Sequence, residues 1–483
     1  MTARHERLLV LGCGSVAQCA LPILVNDLGF DASQVRVVDF EDNRHRVASL
    51  IASGLTYEIA RLTRDNYDEF LRTRCGAGDI LLDLAWNIDS PTIIDWCHHA
   101  GVRYLNTSVE VWDPYEDLEQ VHPNDRTLYV RHMEMRRRKA TWTRRGPSAV
   151  VEHGANPGLV SHLTKQALTD IATRLLRDGR AGSRAAALED ALATKAFNRL
   201  AELTGTKVIH VSERDTQIPS IPKRPNEFVN TWSVEGLYEE GVAPAELGWG
   251  THERWLPPDA HQHGDGPRNQ ICLARPGMET WVRSWVPSGE IHGMVIRHGE
   301  AFTISDHLTV WDEATGLARY RPTVHYAYHP SDSAIASVLE LRMRNLEMQP
   351  SRRILNDEIV SGFDELGVLL MGHDYTSWWT GSILGIDEAR STVPGQSATT
   401  VQVAASVAAA VVWMCDFPEE GLCVPDDLPW EYVLGVARPY LGTLHSAPSD
   451  WTPLVNRRQV FGRWADEQTD PSDPWQFVNF LVQ

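Results

Sequence analysis

The chain is short of basic residues: 45 Lys and Arg stand against 64 Asp and Glu, a formal charge of −19. Such a balance disfavours phosphate backbones and anionic bilayers. No nucleic-acid or membrane partner is therefore expected, whereas a cationic ligand is compatible. None of the seven cysteines forms a C-x-x-C pair, which argues against a zinc ribbon or a thioredoxin-like motif. Their scatter and odd number fit a reducing, cytoplasmic setting. The apolar run Val401–Cys415 is too short to span a bilayer, is interrupted by Gln402 and Ser406, and reads as a buried helix. Met1–Glu6 is polar and Leu8–Leu11 is strand-sized, so no secretory leader is expected. There is no internal repeat, no low-complexity tail, no G-x-S-x-G elbow and no P-loop.

What is present is enough for two or three domains: 483 residues, 43% hydrophobic and 23% charged, as in ordinary soluble enzymes. Apolar runs at Leu8–Leu11, Val35–Val38, Ile80–Leu84, Arg103–Leu105 and Ala149–Val151 alternate with helix-like stretches at Ser15–Leu28, Arg44–Ala52, Asp65–Arg74 and Ser90–Ala100. That alternation predicts an α/β fold with a doubly wound parallel sheet. Arg136–Lys139 reads as a solvated helix face, and Val160–Leu176 as a helix. From about residue 208 to 327 Trp, Thr, Val and turn residues predict a second, α+β domain with a largely antiparallel sheet. Its expected strands are Trp281–Val286, Gly293–Arg297, Ala301–Ser305 and Thr323–Tyr328, with Leu256–Pro267 as a loop. The expected domains are 1–155, binding a dinucleotide, and 156–394, for substrate and dimerisation. Residues from about 395 to 483, including a helix over Thr399–Trp413, are expected to pack back on the first domain.

Leu8–Leu11 runs into Gly12-Cys13-Gly14-Ser15-Val16-Ala17, a G-x-G-x-x-A turn. Gly12 permits the tight turn, Gly14 lets backbone approach a pyrophosphate, and Ala17 allows close helix–strand packing. The pyrophosphate would rest on the N–H groups from Ser15 and Val16 onward that open the helix. The second strand ends at Asp39, whose carboxylate would accept ribose hydroxyls and repel a 2′-phosphate. A Rossmann-type site for NAD rather than NADP follows, with Arg44 and Arg46 pulling slightly the other way.

Between Val211 and Gly250 seven carboxylates (Glu213, Asp215, Glu227, Glu235, Glu239, Glu240, Glu246) surround Trp232. Carboxylates pair with ammonium groups and an indole face attracts a cation, so this stretch suits an organic polycation. The plainer reading is a solvated acidic loop. A redox cofactor beside a cation pocket points to amine chemistry. The histidines of H-Y-A-Y-H, His325 and His329, share a strand face but lack a third ligand, so no metal is expected. Tyr326 and Tyr328 read as core or pocket wall.

These motifs recur as a set: G-C-G-S-V-A, Y-L-N-T-S-V-E at Tyr104–Glu110, G-A-N-P-G at Gly154–Gly158, S-E-R-D-T-Q at Ser212–Gln217 and V-N-T-W-S-V-E-G at Val229–Gly236. With them come P-A-E-L-G-W-G, Y-R-P-T-V-H-Y-A-Y-H-P, D-E-L-G-V-L-L and D-P-W-Q-F, the last at Asp473–Phe477. Over nearly its whole length the chain resembles the bacterial homospermidine synthases, in the saccharopine dehydrogenase-like group. The resemblance implies a redox-neutral aminobutyl transfer: putrescine, or spermidine, is oxidised to an imine on bound NAD, a second putrescine displaces ammonia or 1,3-diaminopropane, and the new imine is reduced. It implies an amine pocket of Glu110, Asn156, Glu213, Trp232, Glu240, His298 and Glu300. Asn156 and Pro157 would also touch the cofactor, and His298 or one of the glutamates would move protons. It implies a homodimer through the second domain.

One position departs from the family pattern: Asn87 stands where the family carries Asp, with Trp86 beside it and Asp89 as a possible replacement. That puts the diamine preference in question more than the reaction. The alternatives are a carboxynorspermidine- or saccharopine-type dehydrogenase, which would need basic residues for a substrate carboxylate, and a non-catalytic NAD or polyamine sensor. A covalent route through Lys165 or Lys207 is a lesser option.

Overall fold

The computed structural model describes residues 4–116, 120–457 and 469–482. Residues 1–3 of the polar stretch Met1–Glu6, and residue 483, lie outside the described residues. Seven strands form an all-parallel first sheet: β1 (Leu8–Leu11), β2 (Val35–Asp39), β3 (Thr56–Ile59), β4 (Ile80–Asp83), β5 (Arg103–Asn106), β6 (Ala149–Val150) and a late arrival, Leu422–Cys423. Their order is β3-β2-β1-β4-β5-β6 and then Leu422–Cys423. The five strands expected from apolar runs are all present. β3, half-exposed with the pattern T-Y-E-I, carries too little apolar signal to be seen in the sequence. Helix Ser90–Ala100 keeps its expected bounds, capped by Asp89, whose carboxylate accepts the Thr92 N–H at 2.9 Å.

The second sheet has ten strands. At its centre β7 (Val208–Asp215) pairs in parallel with Thr323–His329 and antiparallel with Phe363–Met371. Ser377–Gly385 and Thr443–Ser449 extend one side. Pro244–Gly248, Gln270–Pro276 and Ala260–Gln262 extend the other, and the hairpin Trp281–Val286/Gly289–Met294 attaches to Thr323–His329. Among the described strand pairs of this sheet, the β7 pairing with Thr323–His329 is parallel and the others are antiparallel.

Three local expectations are corrected. Ala301–Ser305 is not a strand but part of helix Glu300–His307. A-F-T-I-S mimics a strand because its β-branched residues are buried all round, wedged between both domains, so no polar face marks the helical period. The strand placed at Gly293–Arg297 lies earlier, at Gly289–Met294, and the chain then leaves the sheet for the turn at Gly299. The loop Leu256–Pro267 contains a short edge strand, Ala260–Gln262.

The apolar stretch near residue 400 is helix Ala398–Asp416. By length and composition it passes for a membrane span, yet it packs inside the fold against helices Ser15–Pro22 and Trp430–Ala437. Ser397 caps it by accepting the Thr400 N–H. Helix Ala398–Asp416 packs on the first-domain helix Ser15–Pro22 and Leu422–Cys423 joins the first sheet, whereas Thr443–Ser449 and Phe477–Phe480 belong to the second sheet and its outer face. Of the basic run Arg136–Lys139, Arg137 and Arg138 pair with Glu134 on the same helix. Arg136 reaches Asp306 in the second domain and Lys139 the Leu422 carbonyl in the first sheet, so only the first of these joins the domains and neither merely meets solvent.

Candidate active site

Gly12 has φ +85°, and a Cβ there would sit 2.8 Å from the Leu84 carbonyl oxygen. It ends β1 beside β4, the point where the strand order reverses and ligands of such sheets bind. Gly14 is the N-cap of helix Ser15–Pro22 and supplies no capping side chain. A Cβ on Gly14 would meet nothing within 4 Å, so open space faces a helix N-terminus, the cradle a pyrophosphate needs. Ser15 and Ala17 are buried against the sheet, and Val16 is half-buried. The Asp39 carboxylate accepts the Cys13 N–H at 2.6 Å and the Glu41 N–H at 2.9 Å. It thus braces the glycine turn, with lone pairs to spare for ribose hydroxyls. The residues present fit a dinucleotide.

The turn after β6 folds on itself: the Gly154 N–H donates to the Pro157 carbonyl at 2.8 Å. It delivers Asn156 to β7, where its Nδ2 donates to Glu213 Oε2 at 2.6 Å. Tyr326, on the neighbouring strand, donates to the same oxygen at 2.5 Å. Both bonds end on Oε2, which leaves Oε1 for a ligand. Burial pushes the Glu213 carboxyl up to about 8, against these two bonds, which favour the anion. Tyr326 stacks on Tyr328 with ring centroids 5.1 Å apart, and Tyr328 Oη accepts the Trp232 indole N–H at 3.0 Å. On its other side Tyr326 meets the His298 ring at 4.3 Å. His298 Nε2 lies 2.8 Å from Glu240 Oε2, and its Nδ1 lies 3.4 Å from Glu300 Oε1. Burial disfavours charge on His298, yet the two carboxylates outweigh it and hold the imidazole well above its usual range. Burial likewise raises Glu240. Glu300 is fully buried, and neither of its oxygens has a hydrogen-bond partner. Asn156, Glu213, Trp232, Glu240, His298 and Glu300 are therefore joined through two tyrosines that the sequence left as core or wall.

The acidic stretch as a whole is not a pocket. Glu227 pairs with Arg353 and Glu235 with Arg352. Asp215 accepts from Thr231 and Gln217. Glu246 accepts the Leu128 N–H at 2.9 Å and so caps a first-domain helix. Glu239 is held by Arg297 at 2.6 Å and Arg131 at 3.2 Å. Burial works against its charge, but the two guanidiniums keep its carboxyl at about 2. Glu239–Arg297 and Glu240–His298 make two consecutive rungs, one turned to the pocket and one to the first domain. Nothing in the sequence marks Arg131 or Arg297 as partners of this stretch. Asp364 was also missed: it faces Asp215 across the strand pair and is buried, with one oxygen unpartnered.

Glu110 and Asn87 stand beside this cluster rather than in the chain of contacts. Glu110 accepts from Ser108 Oγ at 2.7 Å, its second oxygen is buried without a partner, and burial with Glu239 nearby pushes it up to about 7. Asn87 has φ +59°, a left-handed conformation that Asn and Asp tolerate better than most residues, and its Oδ1 is buried and unpartnered. Asp89 is taken by its helix cap. Trp86 Nε1 lies 3.4 Å from Glu239 Oε2. Lys165 donates to the Asp426 and Leu428 carbonyls and Lys207 to Asp473, so neither amine is free for an imine. His325 bonds the Tyr326 carbonyl and His329 the His292 carbonyl, and among the described residues no three ligating side chains converge.

Two family models match: the saccharopine dehydrogenase NADP binding domain over residues 8–150, and the saccharopine dehydrogenase C-terminal domain over 154–449. Homospermidine synthase of Blastochloris viridis is 40% identical, covering 99% of this chain and 97% of that protein. Homospermidine synthase of Mesorhizobium japonicum is 38% identical, covering 98% and 96%. The crystal structure of homospermidine synthase from Legionella pneumophila in complex with NAD superposes with a TM-score of 0.86 at 37% identity, covering 100% of this chain and 99% of that one. The chain belongs to the homospermidine synthase family, within the saccharopine dehydrogenase-like proteins.

Proposed function

We propose that the chain is a homospermidine synthase. It joins two putrescines with loss of ammonia, or takes the aminobutyl group of spermidine with loss of 1,3-diaminopropane. NAD, cradled by Gly12, Gly14 and the helix start from Ser15 to Ala17 with Asp39 at the ribose, supplies the hydride acceptor for the first half-reaction and its donor for the second. Asp39 and the NAD in the Legionella enzyme favour NAD despite the NADP in the family model's name.

The observation that carries the reading is Glu213: a buried carboxylate titrating at about 8, bonded to the cofactor-side Asn156 and next to the aromatic wall that leads to Trp232. An amine must shed its proton before its α-carbon can give up hydride, and a carboxylate poised near 8 can take that proton through Oε1. His298, locked as a cation between Glu240 and Glu300, is a weaker candidate for that step. Its ion pairs fit it to hold the pocket's charge, while Glu240, Glu300 and Glu110 receive the ammonium ends. Trp232 offers its face to the cationic amine or iminium. A dehydrogenase acting on a carboxylated substrate is not favoured, because the nearby arginines, Arg131 and Arg297, are already taken by Glu239.

The proposal includes a cytoplasmic homodimer. The seven free cysteines support a reducing location. Ile218 and Val360, both exposed on the paired strands Ile218–Pro219 and Ile359–Ser361, support a contact through the second domain. Mass spectrometry of products from purified protein given NAD⁺ and putrescine tests the function. Homospermidine and ammonia in equal amounts are expected; an oxidised, uncoupled amine as sole product contradicts it.

Asn87→Asp adds a carboxylate where the family carries one. A charge-assisted bond to an ammonium contributes on the order of 1.5–3 kcal/mol, so kcat/KM for putrescine is expected to rise about tenfold relative to cadaverine. Equal specificity ratios in the two proteins would show that Asn87 does not meet the diamine.

A further inference from the structure

We propose that Glu152 is a positioning residue for the amine pocket, fixing His298 and Glu300 through a carboxylate seated on Gly299, the residue between them. The inference rests on the synthase reading and adds a residue to it. Gly299 has φ −67° and ψ −28°, ordinary helical values open to any residue. Its lack of a side chain is therefore not a backbone requirement. The reason is space: a Cβ on Gly299 would lie 2.0 Å from Glu152 Oε2 and 2.3 Å from Glu152 Cδ.

The carboxylate cannot swing aside. Glu152 is 1% exposed, and its Oε2 lies 2.8 Å from His132 Nε2, which is also buried. Its backbone is pinned as well: Asn106 Oδ1 accepts the Glu152 N–H at 2.8 Å, and the Asn106 carbonyl accepts the His153 N–H at 2.9 Å. Asn106 is fixed in turn through Ser90 and Tyr104. Glu152 holds φ +57°, a left-handed conformation unfavourable for a glutamate, and such strain concentrates at functional positions. The His132 ring packs on Phe302 at 4.6 Å, on the first turn of the same helix. The first domain thus grips the start of helix Glu300–His307 through the Glu152 side chain on Gly299 and the His132 ring on Phe302.

The pocket needs that grip. Glu300 has no hydrogen bond to either oxygen, and its nearest ionic partner is His298 Nδ1 at 3.4 Å. Glu300 thus takes its place from the backbone that Gly299 precedes, and His298 from that backbone together with its bond to Glu240.

Four proteins test this: Gly299→Ala, Glu152→Ala, the double variant, and Glu152→Gln. Gly299→Ala should lower kcat/KM for putrescine about 100-fold, the scale of a displacement near 1 Å, with KM raised and NAD affinity unchanged. Glu152→Ala should lose about tenfold. The double variant should regain activity to within about threefold of Glu152→Ala, because the methyl now fills the vacated space. Glu152→Gln keeps the shape and the His132 contact and should stay within about threefold of the parent. Parental activity in Gly299→Ala, a double variant as slow as Gly299→Ala, or a Gln variant as slow as the Ala variant would each overturn the proposal. Parent protein that makes no homospermidine would sink the functional reading instead. The contact would then be read from melting temperatures, low in Gly299→Ala and restored in the double variant.

Discussion

Replacing Trp232 with alanine is expected to lower kcat/KM for putrescine about 100-fold and to leave NAD affinity close to parental. A desolvated cation–π contact contributes about 2 kcal/mol or more, and loss of the indole wall adds misplacement of the amine to that loss. The side chain is half-buried, packs against the edge of the core, and makes its one described polar bond to Tyr328. Trp232→Phe keeps an aromatic face and should lose about tenfold, consistent with the weaker pull of a phenyl ring. Steady-state kinetics with NAD binding measured separately checks both. Normal turnover in the alanine variant would mean that the amine is held elsewhere.

Glu213→Gln is expected to cost more, about 10²–10⁴-fold in kcat, the usual contribution of a positioned general base. The substitution keeps the size of the side chain and removes its proton affinity. The sign of the pH dependence follows from the raised value. Burial holds Glu213 protonated at acidic and neutral pH, and it ionises as pH rises through about 8. Only the ionised form can accept the proton of the bound ammonium, so kcat should climb with pH and level off above about 8. The Gln variant should lack that limb. A parental profile that falls over the same range would show that the neutral acid, not the carboxylate, is the working form.

Much of this could be read from the sequence, and what could not has physical causes. G-x-G-x-x-A after a strand, with Asp39 at the end of the next, already specified the cofactor cradle, because backbone geometry leaves few residues able to serve there. The acids proposed for the pocket come from resemblance, not from charge density. Within the acidic stretch Glu227, Glu235 and Glu239 are neutralised by Arg353, Arg352, Arg131 and Arg297, which lie far away in the chain. No local pattern reports a partner so distant. Helix Glu300–His307 was misread as a strand for a related reason: burial on every side erased the polar face that tells period 3.6 from period 2. The aromatic bridge of Tyr326 and Tyr328 was visible only as alternation in one strand. Its role depends on β7 lying parallel beside it, with Tyr328 in register with Glu213.

In the proposed reaction one hydride leaves and returns within a single active-site visit. This return is tested most directly with putrescine deuterated at the carbons beside nitrogen, turned over many times on substoichiometric unlabelled NAD⁺. Homospermidine that retains deuterium at the reacting carbon is expected, with no growth of NADH absorbance as putrescine is consumed. NADH accumulating in proportion to putrescine consumed, carrying the deuterium away, would contradict it.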